Sequence, residues 1–211
     1  MELHEVLATT GTIRRYLPDP VPDALLASVL DAARYAPSGG NRQPVRFIAV
    51  RQPATKKALK ELYLPMWTAY VARARQAAGD DPSRRRLIDN ADHFAQHLDE
   101  VPVLLVVCAL EAALLATDRE LGRLSIVGGA SVYPAVQNVL LKARAEGLGT
   151  ALTTLLCAVE PQVKRLLAIP PEFLTAATIT LGYPARGFPK RLKRRPLEEI
   201  IFLEKFGGPL V

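Results

Sequence analysis

Two hydrophobic periods alternate along the chain. Leu26, Val29, Leu30 and Ala33 recur at steps of three and four residues, which puts them on one face of a helix. Pro22 and Asp23 suit the first turn of that helix, and Pro37 ends it. Val132, Val136, Val139, Leu140 and Ala143 make a second apolar face, introduced by Gly128-Gly129 and stopped at Gly147. Helical patterning also covers residues 2–9, 54–78 with a break expected at Pro65, 83–98, and 161–167. Short apolar runs at Val45–Val50, 101–109 and 176–181 read as strands. The middle run is nearly continuous in Val and Leu, the pattern of a strand buried on both faces. Residues 149–154 read as a strand or strand-loop, 13–16 as extended chain, and 197–202 as an edge strand. Helices alternate with a few strands, so the class is mixed α and β, without repeats or low-complexity segments.

Composition narrows the setting. At 211 residues and 49% apolar content the chain is long and hydrophobic enough for one globular domain. Its net charge of +6 favours anionic partners. The run Arg84-Arg85-Arg86 reads as a solvated helix face. The longest apolar run, residues 101–110, is far short of the roughly 20 residues that span a bilayer, and no signal-peptide core opens the chain. A cytoplasmic protein without membrane attachment is the expectation. Cys108 and Cys157 sit among apolar neighbours and read as buried free thiols. His93 and His97 are four apart and share a helix face. Phe94 stands where a zinc-protease helix needs Glu, and two ligands are too few for a metal, so none is expected.

Three polar stretches carry the candidate chemistry. In Thr12-Ile13-Arg14-Arg15-Tyr16, extended chain sends the two arginines to opposite sides, so one of them can face a given ligand. The stretch Ala36-Pro37-Ser38-Gly39-Gly40-Asn41-Arg42-Gln43-Pro44 combines small residues, which let backbone approach a ligand, with an Asn/Gln pair. An ordinary helix-to-strand loop fits it equally well. The run Lys190-Arg191-Leu192-Lys193-Arg194-Arg195-Pro196 is either a phosphate clamp or a solvated tail. Together the three suit a ligand with an anionic end and a flat, hydrogen-bonding head. No G-x-G-x-x-G follows a strand, no Walker loop is present and there is no nucleophile elbow. Aromatic residues are 6% of the chain, too few to expect a nucleic-acid stacking platform.

The ordered set resembles the nitroreductase family of flavin-dependent NAD(P)H oxidoreductases. The first signature is Thr12 to Tyr16 followed by Pro18-Asp19-Pro20-Val21-Pro22, and the second is Ala32 to Pro44 leading into a strand. The third is Ala135-Val136-Gln137-Asn138-Val139-Leu140-Leu141 running to Gly147-Leu148-Gly149-Thr150. Gly182-Tyr183-Pro184, then Arg194-Arg195-Pro196-Leu197-Glu198-Glu199, completes the set. The resemblance implies an α+β fold of helices flanking a central mixed, mostly antiparallel sheet, in an intertwined homodimer with FMN at the subunit interface. It implies one domain over residues 1–211, with a variable helical segment at about 62–98 and a C-terminal arm at about 196–211. By the same resemblance Arg14 lies by the ribityl chain and pyrimidine edge of FMN, with Arg15 beside it and Thr12 near the phosphate or ribityl. Pro37, Ser38, Gly39 and Asn41 come from the partner subunit and line the ring, with Gln43 close by. Leu152, Thr153 and Thr154 run beside the flavin, a backbone amide reaching N5. Lys193, Arg194 and Arg195 match the phosphate clamp. The flavin carries the chemistry and no side chain is assigned as catalytic.

The chain departs from the family pattern at three places. Thr10 and Gly11 stand where basic residues are common, Val45 where an aromatic follows Gln-Pro, and Thr154 where an acid often sits near N5. The activity implied is a ping-pong reduction of nitroaromatics, quinones or similar electron-poor acceptors by NADH or NADPH. Flavin reduction, dehalogenation or ene-reductase chemistry on the same fold, and a non-catalytic flavin-binding protein, are the alternatives. Tyr63, Trp67 and Tyr70, in the variable segment, are candidates for an aromatic wall that selects the acceptor.

Overall fold

A computed structural model describes residues 1–209. Its helices are α1 (Leu3–Thr9), α2 (Asp23–Asp31), α3 (Pro53–Ala78), α4 (Pro82–Gln96), α5 (Tyr133–Ala145) and α6 (Glu160–Leu167). Its strands are β1 (Val45–Val50), β2 (Val103–Leu110), β3 (Gly149–Thr153) and β4 (Phe173–Gly182). The strands form one sheet in the order β1-β2-β4-β3, every neighbouring pair antiparallel. A single parallel bridge, Thr12 to Thr150 on the outer edge of β3, makes the sheet mixed. Val107 pairs with Ala177 but Cys108 with Thr175, so Ala176 is one extra residue that bulges β4. The α+β class and mostly antiparallel sheet implied by the signatures are those observed.

The unbroken apolar run of β2 follows from helices covering both faces of the sheet. Successive side chains point to opposite sides. Leu104, Val106 and Cys108 join Leu59, Tyr63, Trp67, Phe94, Leu98 and Val163 beneath α3, α4 and α6. Val103, Leu105, Val107 and Ala109 join Val29, Val136, Val139 and Leu148 beneath α2 and α5. Leu105, Val139 and Leu148 are fully excluded from solvent. Each such side chain contributes about 1.5–3 kcal/mol relative to exposure.

Two expectations are corrected. Pro65 does not break its helix: α3 runs 26 residues through it. Leu59, Tyr63, Trp67 and Val71 recur every four residues on the buried face, while Pro65 and Glu61 lie on the exposed one. The carbonyl of Glu61, deprived of its donor, is on the solvent side, and core packing holds the helix across the gap. Residues 197–202 form no edge strand. Their backbone bonds are local, from Glu199 N to Pro196 O and from Ile200 N and Ile201 N to Leu197 O. A short 3-10 turn, Leu197–Glu199, results, with Leu197, Ile200 and Ile201 exposed. The helix ending before Pro37 tightens to a 3-10 turn over Ala32–Tyr35. No helix among the described residues is long and apolar enough to cross a membrane.

Two glycines place the first polar stretch on the sheet. A Cβ on Gly149 would come within 2.8–2.9 Å of three Ile13 atoms, and one on Gly182 within 2.8 Å of Pro102 and 3.1 Å of Tyr16. Their bare backbones let residues 12–16 lie against the ends of β3 and β4. Gly147, at φ +79°, is the helix stop expected of it.

Candidate active site

The extended stretch is fixed at several points. Ile13 N donates to Thr150 O at 2.8 Å, Leu17 N to Tyr183 O at 2.9 Å, and Ala185 N to Arg15 O at 3.0 Å. The Tyr16 hydroxyl donates to Ile13 O at 2.7 Å and lies 2.6 Å from the Thr180 hydroxyl. Burial raises the Tyr16 pKa well above the usual phenol value, so it is a neutral anchor.

This anchoring holds Thr12 and Arg14 at a cleft of about 310 Å³. Its floor is Ala151 to Leu155, at the end of β3, and its walls are Tyr63, Trp67 and Tyr70 of α3 with Ala91 and Phe94 of α4. Trp67 is buried and its indole N–H donates to Asp92 Oδ1 at 2.6 Å, satisfying the one polar atom of a large apolar group. Tyr70 leans on Trp67 with ring centroids 5.6 Å apart. The Tyr63 hydroxyl is 3.3 Å from that of Thr153. Burial raises the Tyr63 pKa, opposed by the Thr153 hydrogen bond and the Arg14 charge. Leu152 and Thr154 are exposed toward solvent and Thr153 is half-buried. The cleft thus offers one guanidinium, threonine hydroxyls and a flat aromatic wall at one sheet end.

The other predicted residues lie elsewhere in the protomer. Arg15 does not line this cleft; it donates to His93 Nε2 at 2.9 Å in a neighbouring cavity that Arg14 also borders. Ser38 and Gln43 line a separate hollow of about 230 Å³ with Ala33, Pro44, Ser131 and Ala135. Pro37, Gly39 and Asn41 are exposed beside it. That loop is rigidly built: Gly39 N donates to Ser131 Oγ at 3.1 Å, Gln43 N to Ser38 Oγ at 3.0 Å, and Gln43 Nε2 to Asn41 Oδ1 at 3.1 Å. Asn41 and Gln43 adopt φ of 52° and 47°, uncommon for residues with side chains and clustered at functional loops. Lys193, Arg194 and Arg195 are exposed and line neither hollow; Arg195 pairs with Glu199 at 3.5 Å. They follow Leu192, whose N–H donates to Ala8 O at 2.9 Å and whose side chain sits 3.0 Å from a Cβ built on Gly11.

Sequence reading missed Asp92 and Ser131. A buried tryptophan demands an acceptor, so an acid on the facing helix was the available signal for Asp92. Nothing local marks Ser131, which meets Gly39 across 92 residues of chain.

Comparisons with known proteins agree with this architecture. The model of the Nitroreductase family matches residues 7–183. An NADH dehydrogenase of Thermus thermophilus is 35% identical over 200 residues, 90% of each chain. A 5,6-dimethylbenzimidazole synthase of Rhodobacter capsulatus is 32% identical over 185 residues, 86% of this chain and 83% of that one. Among solved structures, iodotyrosine deiodinase bound to FMN and 3-iodo-L-tyrosine superposes with a TM-score of 0.77 at 24% identity, covering 97% of this chain and 100% of that chain. Signatures, fold and relatives converge: the chain belongs to the nitroreductase family.

Proposed function

We propose that this protein is an FMN-dependent oxidoreductase that uses NADH or NADPH to reduce nitroaromatics, quinones or similar electron-poor acceptors. The carrying observation is that Arg14 shares one cleft with the Thr153–Thr154 end of β3 and an aromatic wall. That donor set fits a flavin nucleotide: a fixed cation, hydroxyls, and apolar surface for a flat ring. FMN held there would supply hydride-transfer chemistry between a nicotinamide and an acceptor. Arg14 would hold the pyrimidine edge, where a fixed positive charge favours added negative charge. Thr12 would face the ribityl and phosphate end, and the Leu152–Thr154 backbone the ring edge at N5. Tyr63, Trp67 and Tyr70 would exclude water and stack on the incoming aromatic or quinone.

We assign the Pro37–Gln43 loop to the flavin of a second subunit in a homodimer. Three features support this. The loop is rigid and strained, yet within one protomer it lines a hollow that Arg14 does not reach. Leu3 and Tyr35 line one open, largely apolar surface, and Leu197, Ile200, Ile201, Leu203 and Phe206 are exposed in one C-terminal segment, apolar area that a second copy would cover. Lys193, Arg194 and Arg195 begin beside Gly11 and would supply the phosphate charge that Thr10 and Gly11 lack.

The test is the visible spectrum of protein purified without added flavin, followed by anaerobic NADH or NADPH. A yellow protein that bleaches is expected. A colourless protein that also fails to take up FMN overturns the reading. A panel of nitroaromatic, quinone, haloaromatic and activated-alkene acceptors then separates the chemistries that share this fold.

A further inference from the structure

The flavin reading leaves one built cavity unused. Beyond Arg14, away from the aromatic wall, lies a pocket of about 330 Å³. Arg14, Arg15 and Tyr16 contribute from the extended stretch, His93 and His97 from the end of α4, Glu100 from the turn after it, and Arg186 from the segment after β4. A smaller hollow bounded by Thr12, Asn90 and the same three arginines adjoins it. Three arginines and one carboxylate-bearing residue therefore border the larger pocket. Unlike Arg51, Arg75 and Arg123, none of the three is ion-paired with a carboxylate among the described residues.

The histidines add a second feature. Arginine only donates, so His93 Nε2, 2.9 Å from Arg15 Nη1, accepts and its proton sits on Nδ1. His97 Nδ1 faces the His93 carbonyl at 2.7 Å and must donate to it. The rings lie 4.0 Å apart. His93 is neutral in this arrangement, and its protonation adds a positive charge beside the arginines. Two further groups touch the pocket: the Tyr16 phenol, which burial of its hydroxyl keeps neutral, and the carboxyl-bearing Glu100. Arginine clusters bind tetrahedral dianions through paired N–H groups, and a histidine pair that protonates beside them strengthens that grip.

We propose that this pocket is an oxyanion site for a phosphate- or sulfate-type dianion carried by a ligand other than the flavin. Its separateness from the flavin rests on the function proposed above. The shared chemistry has three sources: the ribose phosphate that distinguishes NADPH from NADH, an anionic group on the acceptor, or a free ion. Protonation ties binding to pH. Burial, His97 and Arg15 together hold His93 below the ordinary imidazole range, so the empty pocket resists protonation and an anion relieves that resistance.

The experiment is a sulfate titration of the FMN-saturated protein, followed by the imidazole NMR signals of His93 and His97. Exposed His4 is the internal control, and sodium chloride matches ionic strength. Sulfate keeps its charge near neutrality, so a pH series reads the protein alone. Saturable shifts confined to His93 and His97 are expected, tightening as pH falls below about 6.5. Arg186→Ala should weaken sulfate binding about tenfold, the scale of one lost charge-assisted partner, and Arg186→Lys should recover part of it. FMN affinity should be unchanged in both.

Shifts that chloride reproduces would overturn the proposal. A sulfate response abolished by FMN, with Arg186→Ala weakening FMN, would instead assign the pocket to the flavin phosphate. Protein that refuses FMN defeats the function proposed above, yet its sulfate titration still reads this site. Sulfate that competes with NADPH but not NADH identifies the ribose phosphate as the dianion. Competition with the acceptor alone identifies the acceptor, and binding without competition identifies a free ion.

Discussion

The two faces of the sheet are packed by different rules. Under α2 and α5 the contacts are aliphatic, with Val29, Val103, Leu105, Val139, Leu148 and Ile179 fully buried. Under α3 and α4 the large groups are aromatic, and two carry polar hooks, Trp67 to Asp92 and Tyr63 to Thr153. Aliphatic packing has no preferred direction. Aromatic groups held at their polar ends keep a fixed orientation even where one side faces a cavity. Both faces bury fully excluded side chains, and the α3–α4 face adds oriented aromatic groups that wall a cleft.

Substitutions can break this division. Leu105→Ala, on the aliphatic face, should cost about 2–5 kcal/mol in urea unfolding and leave flavin uptake by the folded fraction intact. Arg14→Ala should do the reverse: unchanged stability, with flavin reduction by NADH slowed about a hundredfold, the scale of one lost electrostatic donor. If both variants lose stability equally, the faces are not functionally distinct. Asp92→Ala leaves the buried Trp67 N–H unpaired, which should cost about 1–3 kcal/mol and also raise the KM for aromatic acceptors as the wall loosens. A cost in stability with KM unchanged would make Trp67 a core residue only.

The smallest effect is a pH dependence on the cleft face. His93 has a folded pKa below its unfolded value of about 6.5. Near and below that pH the unfolded chain binds the extra proton, so stability should decline as pH falls from about 7.5 to 5.5. His93→Gln should flatten that part of the urea-midpoint profile. Saturating sulfate should do so as well, by favouring the protonated ring.

Elements whose burial is dictated by their own residues were legible in the sequence. Val45–Val50 is a strand at the expected bounds, and the two-sided burial of β2 follows from its Val/Leu run. Gly147 ends α5 as its position announces. The break expected at Pro65 reflected a local hydrogen-bond loss that core packing along α3 overrides. The strand expected at 197–202 is replaced by a local turn, because its backbone groups bond within Pro196–Ile201 and not to the sheet. That Arg14 alone borders the aromatic cleft was readable from extended geometry; the partner of Arg15 was not, because His93 reaches it from 78 residues away. Left-handed backbone at Asn41 and Gln43 leaves no trace in hydropathy. Arg186 gave no signal either, being one arginine in a basic segment until the chain crossing brings it to Arg15.

The bare backbone of Gly11 has a consequence for how this protein can be recombined with its relatives. Any side chain there meets Pro189 at 2.8 Å, while Leu192 is bonded to Ala8 and Ala185 to Arg15. The chain's beginning and its basic tail are thus one interlocked part built from two distant pieces of gene. Grafting a relative's basic residues into positions 10–11 alone forces the tail off its track and displaces the cations that follow it. A chimera that exchanges residues 8–16 together with 183–195 moves the part whole.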